Sequence, residues 1–168
     1  MTVIQKKVCL LGDFSVGKTS LVRRFIEGRF DDKYLSTIGV RISRKTLQRS
    51  NGTLNLLVWD LAGAQEFNTQ ASYLVGVAAA LIVCDMTRRE TLVSCAKYVQ
   101  QVRAMNQSAL LVFVGNKVDL IGENVSAEAE LRACSETQGG DYVLTSAKTG
   151  VGVDLAFELL ARKIEAPA

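Results

Sequence analysis

Short continuous apolar runs alternate with longer stretches of helical period along this chain. Val8-Cys9-Leu10-Leu11, Ala78 to Cys84 and Leu110 to Val114 are each followed by Gly or Asp. An unbroken apolar run closed in this way predicts a strand buried on both faces of a parallel sheet. Between the last two runs, Leu92, Ala96, Val99, Val102 and Asn106 recur at helical spacing with polar residues opposite, which predicts an amphipathic helix. Ser126 followed by Ala-Glu-Ala-Glu-Leu reads as a capped helix start, and Gly139-Gly140 as that helix's end. Asp154 to Ile164 predicts a final helix offering Leu155, Phe157, Leu160 and Ile164 for packing.

The alternation breaks once. Val40–Leu47 and Leu54–Trp59 are apolar-rich runs joined across Ser50-Asn51-Gly52-Thr53, and Asn-Gly in that setting is the strongest short-range hairpin signal. Arg41, Ser43 and Lys45 alternate along the first run and are expected on its solvent face. Two neighbouring strands are therefore antiparallel in a chain that otherwise alternates strand and helix. The expectation is an α/β domain, mostly parallel, with one antiparallel strand at an edge.

Composition narrows the chemistry more than the fold. At 168 residues the chain is expected to be one domain, residues 1–168, large enough to bury a core without disulfide or metal staples. Its 48% apolar and 22% charged residues exclude wholesale disorder. It contains no histidine, which removes Ser-His-Asp and Cys-His catalysis, His-ligated zinc and imidazole pH switching. Carboxylates, amides, hydroxyls, lysines, backbone groups and a hard metal ion remain.

Residues 1–49 hold eleven Lys/Arg against four Asp/Glu, a net of +7, while the rest hold nine against thirteen, a net of −4. The basic residues are scattered, with no aromatic interleaving, so they read as a solvated face with a few phosphate ligands rather than a nucleic-acid surface. Cys9, Cys84, Cys95 and Cys134 show no C-x-x-C spacing and read as small core residues in a reducing compartment. The longest strongly apolar stretch, Val75 to Cys84, is about half a membrane span. Thr2 rules out N-myristoylation, no signal peptide opens the chain, and Glu165-Ala166-Pro167-Ala168 offers no prenylatable cysteine. A cytoplasmic protein without a stable membrane anchor in this chain is expected.

Gly12-Asp13-Phe14-Ser15-Val16-Gly17-Lys18-Thr19 matches G-x-x-x-x-G-K-[ST], directly after an apolar run and before the helical pattern Ser20, Leu21, Val22, Phe25, Ile26. Its glycines let backbone N–H groups curl around phosphate oxygens at a helix N-terminus. Lys18 would bridge the β- and γ-phosphates, and the Thr19 hydroxyl would bind Mg²⁺. Asp60-Leu61-Ala62-Gly63 follows Leu56-Leu57-Val58-Trp59. An acid ending a buried strand suits Mg²⁺, and Gly63 would bring its N–H to a γ-phosphate. Asn116-Lys117-Val118-Asp119 follows a third strand, and Ser146-Ala147-Lys148 follows Tyr142–Thr145. A carboxylate accepts from guanine N1–H and the 2-amino group together, a donor pair adenine lacks, so Asp119 reads as base selector. Lys117 would stack its stem on the ring, Asn116 would tie the loops, and the Ala147 N–H would face guanine O6.

In order and spacing these elements resemble the small Ras-like GTPases, and within them the Rab-like branch. The resemblance extends to Gly17-Lys18-Thr19-Ser20-Leu21, Thr37-Ile38-Gly39-Val40, Trp59-Asp60, and Leu81 to Asp85 with Thr87. It implies a P-loop NTPase fold of the Ras-like G-domain type, a six-stranded mostly parallel sheet with one antiparallel edge strand and helices on both faces. It further implies GTP/GDP held by residues 14–20, Phe30, Tyr34, Thr37, Gly63, Asn116, Lys117, Asp119 and residues 146–148. Phe30 should lie edge-on to guanine and Tyr34 over the phosphates. Thr19, Thr37 and Asp60 should hold Mg²⁺, with Thr37 engaged in the GTP state. Switch I (30–40) and switch II (61–74) should present effectors, exchange factors and GTPase-activating proteins with a surface that orders around the γ-phosphate.

The chain departs from the family on the hydrolytic side. Switch II in the family usually reads D-x-x-G-Q-E, its Gln positioning the attacking water. Here Gly63 is followed by Ala64-Gln65-Glu66-Phe67. Aligning Phe67 with the family's aromatic sets Ala64 where Gln belongs; treating Ala64 as inserted restores Gln65 at the cost of a gap. Substitution is favoured, and Lys18, Thr37, Gly63 and Gln65 remain the catalytic candidates. Phe14 stands where Ras proteins carry glycine and would crowd the water or an inserted arginine. The expectation is a GTP/GDP switch with slow Mg²⁺-dependent hydrolysis; the alternative is a GTP-locked binding scaffold. An ATP-dependent P-loop kinase is disfavoured by Asn116-Lys117-Val118-Asp119.

Overall fold

The computed structural model describes residues 1–33, 37–63 and 71–167. Six strands, β1 (Thr2–Leu11), β2 (Val40–Arg49), β3 (Gly52–Leu61), β4 (Val77–Asp85), β5 (Leu110–Asn116) and β6 (Asp141–Leu144), form one sheet in the order β2-β3-β1-β4-β5-β6. All neighbours run parallel except β2–β3. The predicted hairpin and the antiparallel edge strand are both present. Its turn closes on Ser50-Asn51, because Gly52 already pairs with Arg49.

The helices among the described residues are α1 (Lys18–Glu27), α2 (Arg89–Val93), α3 (Cys95–Met105), α4 (Val125–Gln138) and α5 (Val153–Glu165). The sheet divides the core into two layers. On one face Val8, Leu10, Leu56, Val58, Leu81 and Val83 pack on Leu21 and Phe25 of α1 and Phe157 and Leu160 of α5. Phe25 and Phe157 stack with ring centroids 3.9 Å apart. On the other face Cys9, Leu11, Ile82, Cys84 and Phe113 meet Leu92 of α2, Tyr98 and Val102 of α3 and Leu131 of α4. Alternate residues of one strand thus enter opposite layers, which is why the runs read as unbroken apolar.

Several local expectations change. β1 starts at Thr2, well before its apolar run, because Thr2 to Lys7 pair with β3 while their side chains stay largely exposed. The inward face of α3 is Cys95, Tyr98, Val99 and Val102, and Ala96 is exposed. Asn124, not Ser126, caps α4: its side chain accepts from the Ala127 N–H at 3.1 Å. Leu155 faces solvent, and Ala156 and Ala161 take the inward positions of α5 beside Phe157 and Leu160. On β2 Arg41 is exposed as expected, and so are Ile42, Arg44, Thr46 and Gln48, while Ser43 and Lys45 are half-buried toward α1. Lys45 lies with its ammonium 5.1 Å from the centre of the Phe25 ring.

Parallel strands put their C-terminal ends on one edge, so Gly12 after β1, Asp60 of β3, Asp85 of β4, Asn116 of β5 and Thr145 after β6 line up there. β1 is the centre of that edge, with β3 on one side and β4 on the other, the place where doubly wound sheets open a crevice.

Candidate functional site

That crevice is a cleft of about 320 Å³. Phe14, Ser15, Gly17, Lys18, Thr19 and Ser20 form its floor; Phe30, Thr37 and Gly63 border it; and Asn116, Lys117, Asp119, Ala147 and Lys148 close the far wall. Val16 and Ser146 sit just behind this surface, each almost fully buried. Asp31, Asp32 and Lys33 of the expected switch I, Leu61 of the Asp60-Leu61-Ala62-Gly63 motif, and Leu120 also line the cleft, though none was expected as a binding residue. Tyr34, Ala64, Gln65 and Phe67 lie outside the described residues.

The floor is a loop whose carbonyls are engaged by side chains one after another. Lys18 Nζ donates to the Gly12 and Asp13 carbonyls at 2.9 and 3.1 Å. Arg88 Nη2 donates to Phe14 O at 2.9 Å, Lys117 Nζ to Ser15 O at 2.8 Å and Asn116 Nδ2 to Val16 O at 3.0 Å. A loop whose carbonyls are engaged in this way, at a helix N-terminus, leaves its N–H groups available to an anion. Gly17 completes the turn at φ 103°, where a Cβ would overlap Asn116 Nδ2. Gly63 lies against the same loop: a Cβ there would come within 2.7 Å of the Phe14 backbone N.

The electrostatics here suit an anionic ligand. Lys18 is 6% exposed, and burial pulls its pKa down to about 8 against the opposing pull of Asp60 and Asp13. A buried cation in that condition is relieved by a negatively charged ligand.

Beside it, Thr19 Oγ1 donates to Asp60 Oδ2 at 2.6 Å and lies 2.5 Å from Thr37 Oγ1. The other carboxylate oxygen, Asp60 Oδ1, is buried without a hydrogen-bond partner among the described residues. Burial raises the Asp60 pKa, with Thr19 and Lys18 pulling against it. Two hydroxyls and a half-satisfied carboxylate are hard oxygen donors, a set that fits Mg²⁺ and gives Asp60 Oδ1 its partner.

The opposite wall is closed on itself. Asn116 Oδ1 accepts from Thr145 Oγ1 at 2.9 Å and from the Ala147 N–H at 3.2 Å. Asn116 therefore joins the loops as expected, while the Ala147 N–H expected to face a base is engaged with it. Ser146 Oγ donates to Asp119 Oδ1 at 2.8 Å, which fixes that carboxylate at the cleft wall. Lys117 takes a left-handed backbone (φ 69°), and its ammonium is anchored 2.9 Å from Asp85 Oδ2, so its aliphatic stem is drawn along the wall. Arg24 donates to the Ala147 and Lys148 carbonyls and ties this loop to α1.

Asp85, noted in the sequence only as part of a resemblance, proves to be a hub. It is 2% exposed and takes hydrogen bonds from Thr87, Arg88 and Lys117. Burial pushes its pKa up, yet these donors outweigh it and hold the carboxyl below the usual range. An acid closing an apolar strand, as Asp60 does, was the available signal. Tyr98, whose hydroxyl donates to Asp13 Oδ1 at 2.6 Å, gave no signal beyond its place on α3.

The Ras family model matches residues 7–166. The chain is 37% identical to Ras-related protein Rab-22A of Homo sapiens over 98% of its length and 86% of that relative. It is 36% identical to Ras-related protein Rab5 of Nicotiana tabacum over 96% of its length and 82% of that relative. Against Ras-related protein Rab-31 of Homo sapiens the identity is 34%, over 98% and 85%.

Proposed function

Because the chain belongs to the Ras family of small GTPases, in its Rab branch, we propose that it is a guanine-nucleotide switch, one G domain over residues 1–168, with slow Mg²⁺-dependent GTP hydrolysis. The observation that supports this most is the meeting of four segments far apart in the chain around one cleft: Gly12–Thr19, Asp60–Gly63, Asn116–Asp119 and Ser146–Lys148.

Asp119 accepts from the guanine N1–H and 2-amino group, and the Lys117 stem and Phe30 cover the ring. Lys18 and the N–H groups of residues 14–19 hold the phosphates. Thr19, Asp60 and Thr37 would hold Mg²⁺, which would supply positive charge against the phosphates when bound. The Gly63 N–H, next to the Phe14 backbone, reaches the γ-phosphate, so its presence is felt by Thr37 and Gly63 together. Effectors and regulators read switch I (30–40) and switch II (61–74) in this scheme.

Hydrolysis is slow because Ala64 stands where the family positions water with Gln, leaving Gln65 one residue late. Phe14, 56% exposed at the mouth of the cleft, crowds the same space. The test is the nucleotide carried by protein purified from cells, read by anion-exchange chromatography after denaturation. GTP in excess of GDP is expected. Adenine nucleotide would overturn the guanine reading, and GDP alone would overturn slow turnover.

A further inference from the structure

Five consecutive carbonyls of this loop, Gly12 to Val16, are each held by a side chain: the first two by the loop's own Lys18, the other three by Arg88, Lys117 and Asn116 from elsewhere in the chain. Lys18, Lys117 and Asn116 belong to motifs that carry the nucleotide reading; Arg88 belongs to none. Its guanidinium bridges two points, with Nη2 on Phe14 O at 2.9 Å and Nε on Asp85 Oδ2 at 3.1 Å. The same Asp85 oxygen takes Lys117 Nζ at 2.9 Å, and Lys117 Nζ donates to the next carbonyl, Ser15 O, at 2.8 Å. One buried carboxylate thus steers two cations onto two successive carbonyls of the loop.

The backbone that delivers Arg88 is itself fixed. Arg88 N–H closes a turn on Asp85 O at 2.9 Å, and the Thr91 hydroxyl donates to Arg88 O at 2.7 Å. That hydroxyl also accepts from the Asp85 N–H at 2.8 Å. Arg88 is therefore not a loose surface arginine that happens to fall on the loop, although its side chain is 36% exposed. Asp85 already has a cationic partner in Lys117, so charge balance alone does not call for Arg88. What Arg88 adds is the bond to Phe14 O, the middle of the five carbonyls, on a residue whose backbone also lies against Gly63.

We propose that Arg88 is a positioning residue: through Asp85 it clamps the Phe14 peptide, keeping the loop's N–H groups aimed at the phosphates and slowing nucleotide release. This rests on the nucleotide-binding reading of the cleft. Charge-assisted bonds of this kind are roughly twice as strong as neutral ones, and a clamp on one peptide acts on every phosphate contact that peptide makes.

The test measures release of a fluorescent GDP analogue from the full chain by displacement with excess GDP, with thermal melting in parallel. Arg88→Ala is expected to speed release about tenfold, the scale of one lost charged hydrogen bond. Arg88→Lys, which keeps the charge and one donor, should recover part of that loss. Arg89→Ala removes a neighbouring exposed arginine paired only to Glu130 among the contacts described, and should leave release within about twofold of the unchanged chain, since surface pairs contribute little. Release from Arg88→Ala within twofold of the unchanged chain overturns the clamp, as does equal acceleration in Arg88→Ala and Arg89→Ala. Normal release with lost GTP hydrolysis also overturns it, because Arg88 would then act on the reacting phosphate. Failure of the unchanged chain to bind the analogue is a different outcome and refutes the nucleotide reading itself.

Discussion

The two ends of the cleft are built on opposite terms. At the base end polar groups satisfy one another: Asn116 Oδ1 takes two donors, Asp119 is held by Ser146, and Lys117 is anchored at its tip. At the phosphate end demand is left open, in a buried lysine with a lowered pKa and in Asp60 Oδ1, which has no partner among the described residues. In the proposed reading a prebuilt wall would supply selectivity, because groups already fixed need little reorganisation to receive a base. An underpaired end supplies switching, because what it lacks is what the ligand brings.

The largest expected effect breaks the base end. Asp119→Ala removes the carboxylate proposed to accept two hydrogen bonds from guanine and frees the Ser146 hydroxyl. Affinity for GDP should fall by about 100-fold or more, while ADP, which never used the carboxylate, loses far less. Competition binding with both nucleotides checks this. Breaking the phosphate end should look different. Thr19→Ala deletes the hydroxyl between Asp60 and Thr37, so nucleotide release should become about tenfold faster in Mg²⁺ and lose its acceleration by EDTA. Stopped-flow release with and without chelator reads both.

Much of this contrast is readable in the chain because its parts are contiguous. The loop of residues 12–19, Asn116 to Asp119 and Ser146 to Lys148 each pack their chemistry into a few residues after an apolar run. The hairpin and the parallel core are visible for the same local reason. What escapes is whatever depends on residues far apart in the chain. Tyr98 reaches Asp13 across 85 positions, and Arg88 reaches Phe14 across 74. No spacing rule links such pairs. On α3, Cys95 and Ala96 are both one turn beyond Leu92, and helical spacing alone does not say that Cys95 turns inward and Ala96 outward. The outward face of β2 is likewise set by α1 packing under Ser43 and Lys45, not by polarity along the strand.

A smaller effect probes the support beneath the floor. Tyr98→Phe removes the bond to Asp13 Oδ1 and keeps the ring in the core. It should cost about 1 kcal/mol of stability, read as a lowered melting temperature. The smallest effect concerns reactivity. Burial pushes the Cys9 thiol up to about 12 and also raises the half-buried Cys134, while Cys84 and Cys95 are buried. Because only the thiolate reacts, iodoacetamide at pH 8 should modify Cys134 slowly and leave the other three untouched in the folded protein. Peptide mass mapping reports the sites.

The comparison between a finished base end and a demanding phosphate end comes down to hydrolysis. Single-turnover release of phosphate from preloaded GTP should be measured side by side in this chain, its Ala64→Gln variant and the relative Rab-22A. The expected result is a chain slower than its relative and an Ala64→Gln variant faster than the chain by about tenfold, the scale of one well-placed group at a transition state. A chain that already hydrolyses as fast as Rab-22A, with no gain from Ala64→Gln, would contradict it.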